Sequence, residues 1–197
     1  MNDSSRTGRL TSARYQHHTA TQARNVRAVV EDIYRRSYVD AIDSGDPFDS
    51  PVEFMRRFDA YTDPARSGGF ELVVAFVDGA PAGQTWGWPL QPGAAWWGGL
   101  HLDDGDRERF TTETGERTFA LSEIMVCTGH SGRGLARALH NDLLSGRREQ
   151  RATLLVEPDN DRAYAAYRKW GWVRVGWLRP DWEDAPKFDV LIRDLPL

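Results

Sequence analysis

The stretch Leu121 to Ala136, LSEIMVCTGHSGRGLA, is an apolar strand that ends, crosses a glycine-bearing loop and enters a helix carrying arginines. Backbone N–H groups around Gly132 and Gly134, together with the free donors and partial positive charge of a helix start, suit a pyrophosphate. Arg133 and Arg137 add forked guanidinium contacts to phosphate. Each charge-assisted contact contributes roughly 1.5–3 kcal/mol. A glycine pair also serves a plain tight turn, so other residues must decide between the two. Within the strand, alternation puts Ser122, Ile124 and Val126 on one face and Glu123, Met125 and Cys127 on the other. Glu123, a carboxylate among apolar neighbours, is either a proton acceptor beside a ligand or a salt-bridged edge residue.

A second constellation lies downstream in LLVEPDNDRAYAAYRKWGW, a strand, a Pro-Asp-Asn turn, a short helix and a Gly-aromatic step into another strand. Asn160, Ala163 and Tyr167 share one helix face at i, i+3, i+7 spacing, and small Ala163 leaves room for a ligand within reach of Tyr167. Tyr167 is either that reactive phenol or a core aromatic like Tyr164 and Trp170. Asn160 is a favoured N-cap, a role compatible with ligand binding. Cys127 and His130 stand close enough in sequence to raise covalent catalysis, which needs a thiolate and a base. His17, His18, His101 and His140 show no metal-site spacing, so no metal is expected.

The elements that must position these groups follow from periodicity. Residues 1–9 read as a polar tail and 10–197 as a single domain. A helix starts at Asn25 with Val26, Val29, Val30, Ile33 and Ser37 or Tyr38 inward, and stops at Gly45-Asp46-Pro47. Another follows Ser50-Pro51 and turns Val52, Met55 and Phe58, or Phe54 and Phe58, inward. Phe70–Val77 and Ala82–Trp88 flank Asp78-Gly79 as a hairpin. The glycine-rich stretch 89–117 reads as an irregular insertion. Strands and helices then alternate: strand 119–126, helix 134–145, strand 153–157, helix 160–170, strand 172–178 and strand 188–193. The order predicts an α+β fold, a mixed β-sheet with helices on both faces.

At these residues the chain resembles the GNAT superfamily of acyl-CoA-dependent N-acetyltransferases, over about 119–177. The family's pyrophosphate loop runs Gln or Arg, two residues, Gly, one residue, then Gly or Ala. The matching positions are Ser131, Gly134 and Ala136, with Ser131 replacing the long polar side chain. The family's segment N-x-x-A-x-x-x-Y-x-x-x-G-F maps onto Asn160, Ala163, Tyr167, Gly171 and Trp172. The resemblance implies a splayed central strand pair with the acyl-pantetheine arm in the gap, and acetyl-CoA (coenzyme A) as cofactor. Met125, Val126, Ser131, Gly132, Arg133, Gly134, Leu135, Ala136, Arg137, Asn160 and Ala163 would hold it.

Acyl transfer to an amine needs a deprotonated amine, an oxyanion stabiliser and a proton for the leaving thiolate. An ammonium titrates near 10, so about one amine in a thousand is nucleophilic at neutral pH. Glu123, through a water, is the expected base. Tyr167, which the resemblance puts beside the cofactor sulfur, is the expected acid. A backbone N–H near Val126 would meet the oxyanion. The resemblance assigns the acceptor pocket to the first helices and the insertion, and Trp86, Trp88, Trp96 and Trp97 either form an aromatic floor there for a cationic or aromatic amine or simply pack as strand aromatics. Asp103, Asp104, Asp106 and Glu108 either draw an ammonium or form a solvated loop. The expected reaction is N-acetyl transfer to a primary amine by direct attack in a ternary complex. The alternative, a non-catalytic acyl-CoA-binding sensor or partner module, is favoured by Ser131 alone.

With 197 residues and 40% hydrophobic content the chain suits one ordinary core. A net charge of −4 argues against a nucleic-acid binder. No apolar run approaches a membrane span, the N-terminus lacks a secretory core, and the lone cysteine fits a reducing compartment, so a cytoplasmic protein is expected. Its partner is a small-molecule or peptide amine, and it is a monomer or a homodimer that buries Trp96-Trp97. Arg147, Arg148 and Arg151 read as a solvated helix end, or one of them meets the 3′-phosphate of CoA.

Overall fold

The computed structural model describes residues 13–65, 68–181 and 185–197, so the expected N-terminal tail lies outside the described residues. The elements are β1 (Arg14–Thr19), α1 (Ala20–Asn25), α2 (Arg27–Ser37), α3 (Val39–Asp43), α4 (Pro51–Tyr61), β2 (Glu71–Val77), β3 (Ala80–Pro89), β4 (Leu100–Leu102), α5 (Arg107–Thr111), β5 (Thr118–Val126), α6 (Leu135–Ser145), β6 (Arg151–Val156), α7 (Asp161–Lys169), β7 (Val173–Leu178) and β8 (Phe188–Asp194). Single 3₁₀ turns lie at Pro47–Asp49, Ala95–Trp97 and Thr128–His130.

Local chemistry sets several boundaries. Thr19 and Gln22 form a reciprocal capping box that starts α1. Ser50 accepts from the N–H of Glu53 and Pro51 occupies the first turn of α4. Asp78 and Gly79 both take positive φ, +51° and +81°, the geometry that folds a two-residue hairpin between β2 and β3. The helix expected from Asn25 to Gly45 is broken at Tyr38 (φ −114°, ψ 37°), whose ring turns back to stack on Tyr34 at 5.0 Å. Strand β1 escaped the periodicity because RYQHHT is a polar edge strand with no buried residue.

Among the described residues the strands form one eight-stranded sheet in the order β1-β2-β3-β5-β6-β8-β7-β4. Every neighbouring pair is antiparallel except β5 and β6. That parallel pair joins only at Thr118↔Arg151, Phe119↔Ala152 and Ala120↔Thr153. Beyond Ala120 the strands diverge, which is the expected splayed central pair.

Strand β5 also carries a bulge. Trp86 faces Glu123 while Gly87 faces Leu121, so Ser122 has no partner and the strand swaps faces there. Phe119 and Leu121 lie in the same core as Ile124 and Val126, although strict alternation would separate them. Gly87 is required opposite the bulge, because a Cβ there would stand 2.1 Å from the carbonyl oxygen of Ala120.

Helices α1, α2 and α4 cover one face of the sheet, burying Ile33, Phe54 and Phe58 against Leu72, Trp86, Met125 and Cys127. Helices α6 and α7 cover the other, with Leu135, Leu139 and Tyr167 over Val73, Phe119 and Leu121. Val52 does not turn inward; it is 80% exposed, and Phe54, Met55 and Phe58 form the inner face of α4.

The insertion 89–117 is more regular than expected. It contains β4 and α5 and builds a third core of Trp97, Leu100, Ala120 and Leu178. Trp97 is 3% exposed, so Trp96-Trp97 is not an exposed dimer patch. Arg147 and Arg151 are not a solvated helix end either. Arg147 bridges Glu71 and Glu149, and Arg151 is buried against Glu113 and stacks on Phe110 at 4.2 Å. Arg148 stays exposed. No helix among the described residues is long and apolar enough to cross a membrane.

Candidate active site

The gap between β5 and β6 is lined by backbone with free donors. Cys127 N–H donates to the carbonyl of Ala82 at 2.9 Å, extending the ladder with β3. Donors alternate along an antiparallel ladder, so Cys127, Met125 and Glu123 turn theirs to β3 and Val126 and Ile124 turn theirs into the gap. Val126 thus sits where an oxyanion donor was expected. Met125 instead gives its backbone to β3 and its side chain to the α2 side, where the Gln84 amide contacts its sulfur at 3.2 Å.

The turn after β5 closes one end of the gap. Its 3₁₀ turn is tied to α2 by the Thr128 hydroxyl, which donates to the carbonyl of Arg36 at 3.0 Å. Gly132 and Gly134 take φ +76° and +84°, a region L side chains rarely adopt. A Cβ on either would meet nothing within 4 Å, so the space above them is open. Helix α6 begins at Leu135 with no side-chain cap, leaving the first-turn donors of Leu135, Ala136 and Arg137 facing that space. Arg133 and Arg137 are exposed beside it, as is Ser131 in part. Uncapped donors, open glycines and two arginines fit a diphosphate.

Glu123 and Tyr167 approach the gap from opposite faces. Glu123 is opposite Trp86 and shares its face with Met125 and Cys127, under α2 and α4. The Thr85 hydroxyl donates to the backbone carbonyl of Glu123 at 2.7 Å and fixes the strand at the bulge. Burial raises the carboxyl to about 7, and the positive charge of Arg57 on α4 opposes the shift. Tyr167 reaches in from α7, 9% exposed. Its ring meets Trp170 at 5.6 Å and Trp172 at 6.2 Å, both edge-on.

Trp172 is held in turn by its indole N–H, which donates to His140 Nε2 at 2.9 Å. Burial lowers His140 to about 4, so it is a neutral acceptor at working pH. Burial, then the charge of Glu123, pushes the Tyr167 phenol well above its ordinary value, so it keeps its proton. Asn160 caps α7, its Oδ1 accepting from Ala163 N–H at 3.1 Å.

Other groups converge on Glu123, and of these periodicity marked only Tyr38, as the alternative to Ser37. Burial raises the phenols of Tyr34, Tyr38 and Tyr61, Tyr34 to about 12, and the charge of Glu123 adds to the shift in each. Tyr34 and Tyr38 come from the end of α2, Tyr61 and Arg57 from the inner side of α4. Repetition of Tyr and Arg at inward spacing on these helices was the available signal.

The expected tryptophan floor is only partly realised. Trp86 is 1% exposed and packs on Phe54 and Phe58, and Trp97 donates to Glu113 in the third core. Trp88 and Trp96 remain half-buried, with Tyr61 at 4.7 Å and Trp96 at 6.1 Å from Trp88. The acids of the insertion serve local structure: Asp103 pairs with Arg174 and Asp106 caps α5. Cys127 is 2% exposed and burial raises its thiol, the opposite of an activated nucleophile.

Comparison with known proteins agrees with this fold. The family model described as acetyltransferase (GNAT) family matches residues 28–172. No curated relative matches the sequence. An acetyltransferase from Thermus thermophilus superposes with a TM-score of 0.62 at 15% identity, covering 95% of this chain and 99% of that one. The ribosomal-protein-S18-alanine N-acetyltransferase from Escherichia coli gives 0.59 at 14% identity, over 94% and 96% of the two chains. Likeness at such identity speaks for the fold.

Proposed function

The chain belongs to the GNAT acetyltransferase family, and from that premise we propose that it transfers an acetyl group from acetyl-CoA to a primary amine, which attacks directly in a ternary complex. The observation that carries this reading is the divergence of β5 and β6 after Ala120, which opens a slot between a free carboxyl on one face and a free phenol on the other. Acetyl-CoA supplies the activated acyl group as a thioester. The Gly132–Gly134 turn, the start of α6 and Arg133 and Arg137 would grip its diphosphate. Val126 N–H would stabilise negative charge developing on the acyl oxygen. Ser131, Asn160 and Ala163 would border the same path, whereas Met125 turns its backbone to β3 and its side chain to the α2 side and is left out of the binding set.

Glu123 accepts a proton from the incoming ammonium, directly or through a water, and its raised pKa matches it to that task near neutrality. Tyr167, on the far face and still protonated, gives its proton to the departing thiolate. Tyr34, Tyr38, Tyr61 and Trp88 wall the amine side. The free, buried Cys127 suits a reducing compartment such as the cytoplasm.

Release of free thiol from acetyl-CoA, followed over a panel of primary amines alongside thermal melts with CoA, tests the reading. CoA is expected to raise the melting temperature, and thiol release to depend on amine. Protection by CoA with no thiol release from any amine would instead support a non-catalytic acyl-CoA-binding module.

A further inference from the structure

Four of the large hydrophobic side chains exposed among the described residues come from one stretch: Tyr38, Val39, Phe48 and Val52. Val52 is 80% exposed and Phe48 48%. This stretch joins α2 to α4, and Tyr38 at its start brings its phenol into the field of Glu123, so the stretch borders that side of the site. It is held in place from below. The Tyr34 hydroxyl donates to the carbonyl of Asp49 at 2.8 Å, Arg57 donates to that of Phe48 at 3.0 Å, and the Arg57 guanidinium lies 4.1 Å over the Phe48 ring. A cavity of about 380 Å³, lined by Ser37, Tyr38, Val39, Asp40, Ala41 and Thr128, opens at the same rim.

Within the stretch itself every charge is negative, while Arg57 of α4 lies beneath it against Phe48 and beside Glu53. Between Tyr38 and Ser50 the sequence carries Asp40, Asp43, Asp46 and Asp49 and no Lys or Arg. A small amine enclosed by the phenols around Glu123 would gain nothing from apolar side chains and carboxylates outside the cleft. An extended chain leaving the cleft would meet both, and the cavity has room for one of its side chains. Nucleic acid would be repelled by the same carboxylates.

We propose that the acceptor is a polypeptide with a free amine flanked by basic and apolar residues, docking along the 38–52 rim. This rests on the acetyltransferase reading and adds the class of acceptor. Two readouts test it, the first of them separate from catalysis. In the first, fluorescence anisotropy follows a labelled dodecapeptide of alternating arginine and leucine, amine free, binding to the CoA-loaded protein. An otherwise identical peptide with glutamate for arginine is the comparison. The basic peptide is expected to bind at least about tenfold tighter, and to weaken with added salt.

Asp40→Lys with Asp43→Lys should abolish that preference and Val52→Asp should weaken binding, while CoA still raises the melting temperature of each variant. In the second, kcat/KM for the basic peptide should exceed that for putrescine by about tenfold or more, with the rim variants acting through KM. Equal binding of both peptides, indifference of binding to the rim variants, or putrescine outperforming the peptide overturns the proposal. Rim-dependent peptide binding with no thiol release from any acceptor upholds the docking surface and refutes the transferase reading.

Discussion

At the scale of single residues, Glu123 carries a conflict between stability and function. Its carboxyl is raised to about 7 from an ordinary 4.5 because the charged form is poorly solvated. A raised carboxylate favours the folded state fully below the unfolded value, and that advantage is lost as pH climbs through the folded value. Glu123→Gln should therefore melt close to the parent at pH 4.5 and above it at pH 8. The same substitution should lower turnover about 10²–10⁴-fold and remove the rise of kcat/KM with pH centred near 7. Melting curves and pH–rate profiles on one pair of proteins check both. A melting difference independent of pH would mean that the carboxyl is not buried as described.

Tyr167→Phe separates chemistry from binding: turnover should fall about ten- to a thousandfold with CoA affinity unchanged. The ring keeps its contacts with Trp170 and Trp172, so the fold should be unaffected. Unchanged turnover would remove the phenol from the proton path.

At the scale of elements, glycines that look alike in sequence do different work. Gly134 has open space around its missing side chain and a φ of +84°, so Gly134→Val strains the turn without a clash inside the protein. The variant should fold, with CoA no longer raising its melting temperature. Gly87 sits against the bulge, where a Cβ would come within 2.1 Å of a carbonyl oxygen, so Gly87→Ala should destabilise the whole sheet. Circular dichroism melts with and without CoA tell the two outcomes apart.

The turn and the helices beside it were legible in sequence because glycine, helix periodicity and the Asn160–Tyr167 face are local signals. The bulge at Ser122 was not, since LSEIMV carries no mark of it and the requirement appears only across the ladder at Gly87. The amine-side wall was hidden for a similar reason. Tyr34, Tyr38 and Tyr61 meet over Glu123 only when α2 and α4 pack on the same face, and periodicity marks an inward aromatic without saying whether it ends as core or as wall. Tryptophan number misled in the opposite direction, because Trp86 and Trp97 were needed to fill two different cores.

Over the whole molecule, a sheet that opens at one end must be held at the other. The lock lies where β5 and β6 are still paired. Glu113 Oε1 accepts from the Trp97 indole at 3.0 Å, from the Thr118 hydroxyl at 2.8 Å and from Arg151 at 3.3 Å, joining the insertion, β5 and β6 at one oxygen. Arg151 also donates to the carbonyl of Phe110 at 2.7 Å. Burial, then the like charge of Arg117, lowers the Arg151 pKa against the pull of Glu113, so this buried guanidinium depends on its partner to stay charged.

The pair therefore contributes geometry more than net stability, and breaking it leaves a buried cation alone. Glu113→Ala should cost about 3–5 kcal/mol, which in a chain of this size lowers the melting temperature by roughly 6–20 °C. If the lock also sets the width of the slot, the same variant, assayed well below its melting temperature, should bind CoA more weakly. Glu113→Gln, which keeps an acceptor for Trp97 and Thr118 but loses the charge, should fall between the two in stability and retain more CoA affinity. Weakened CoA binding in proportion to the lost hydrogen bonds would tie the closed end of the sheet to the open one. Destabilisation with CoA affinity intact would confine Glu113 to anchoring the insertion.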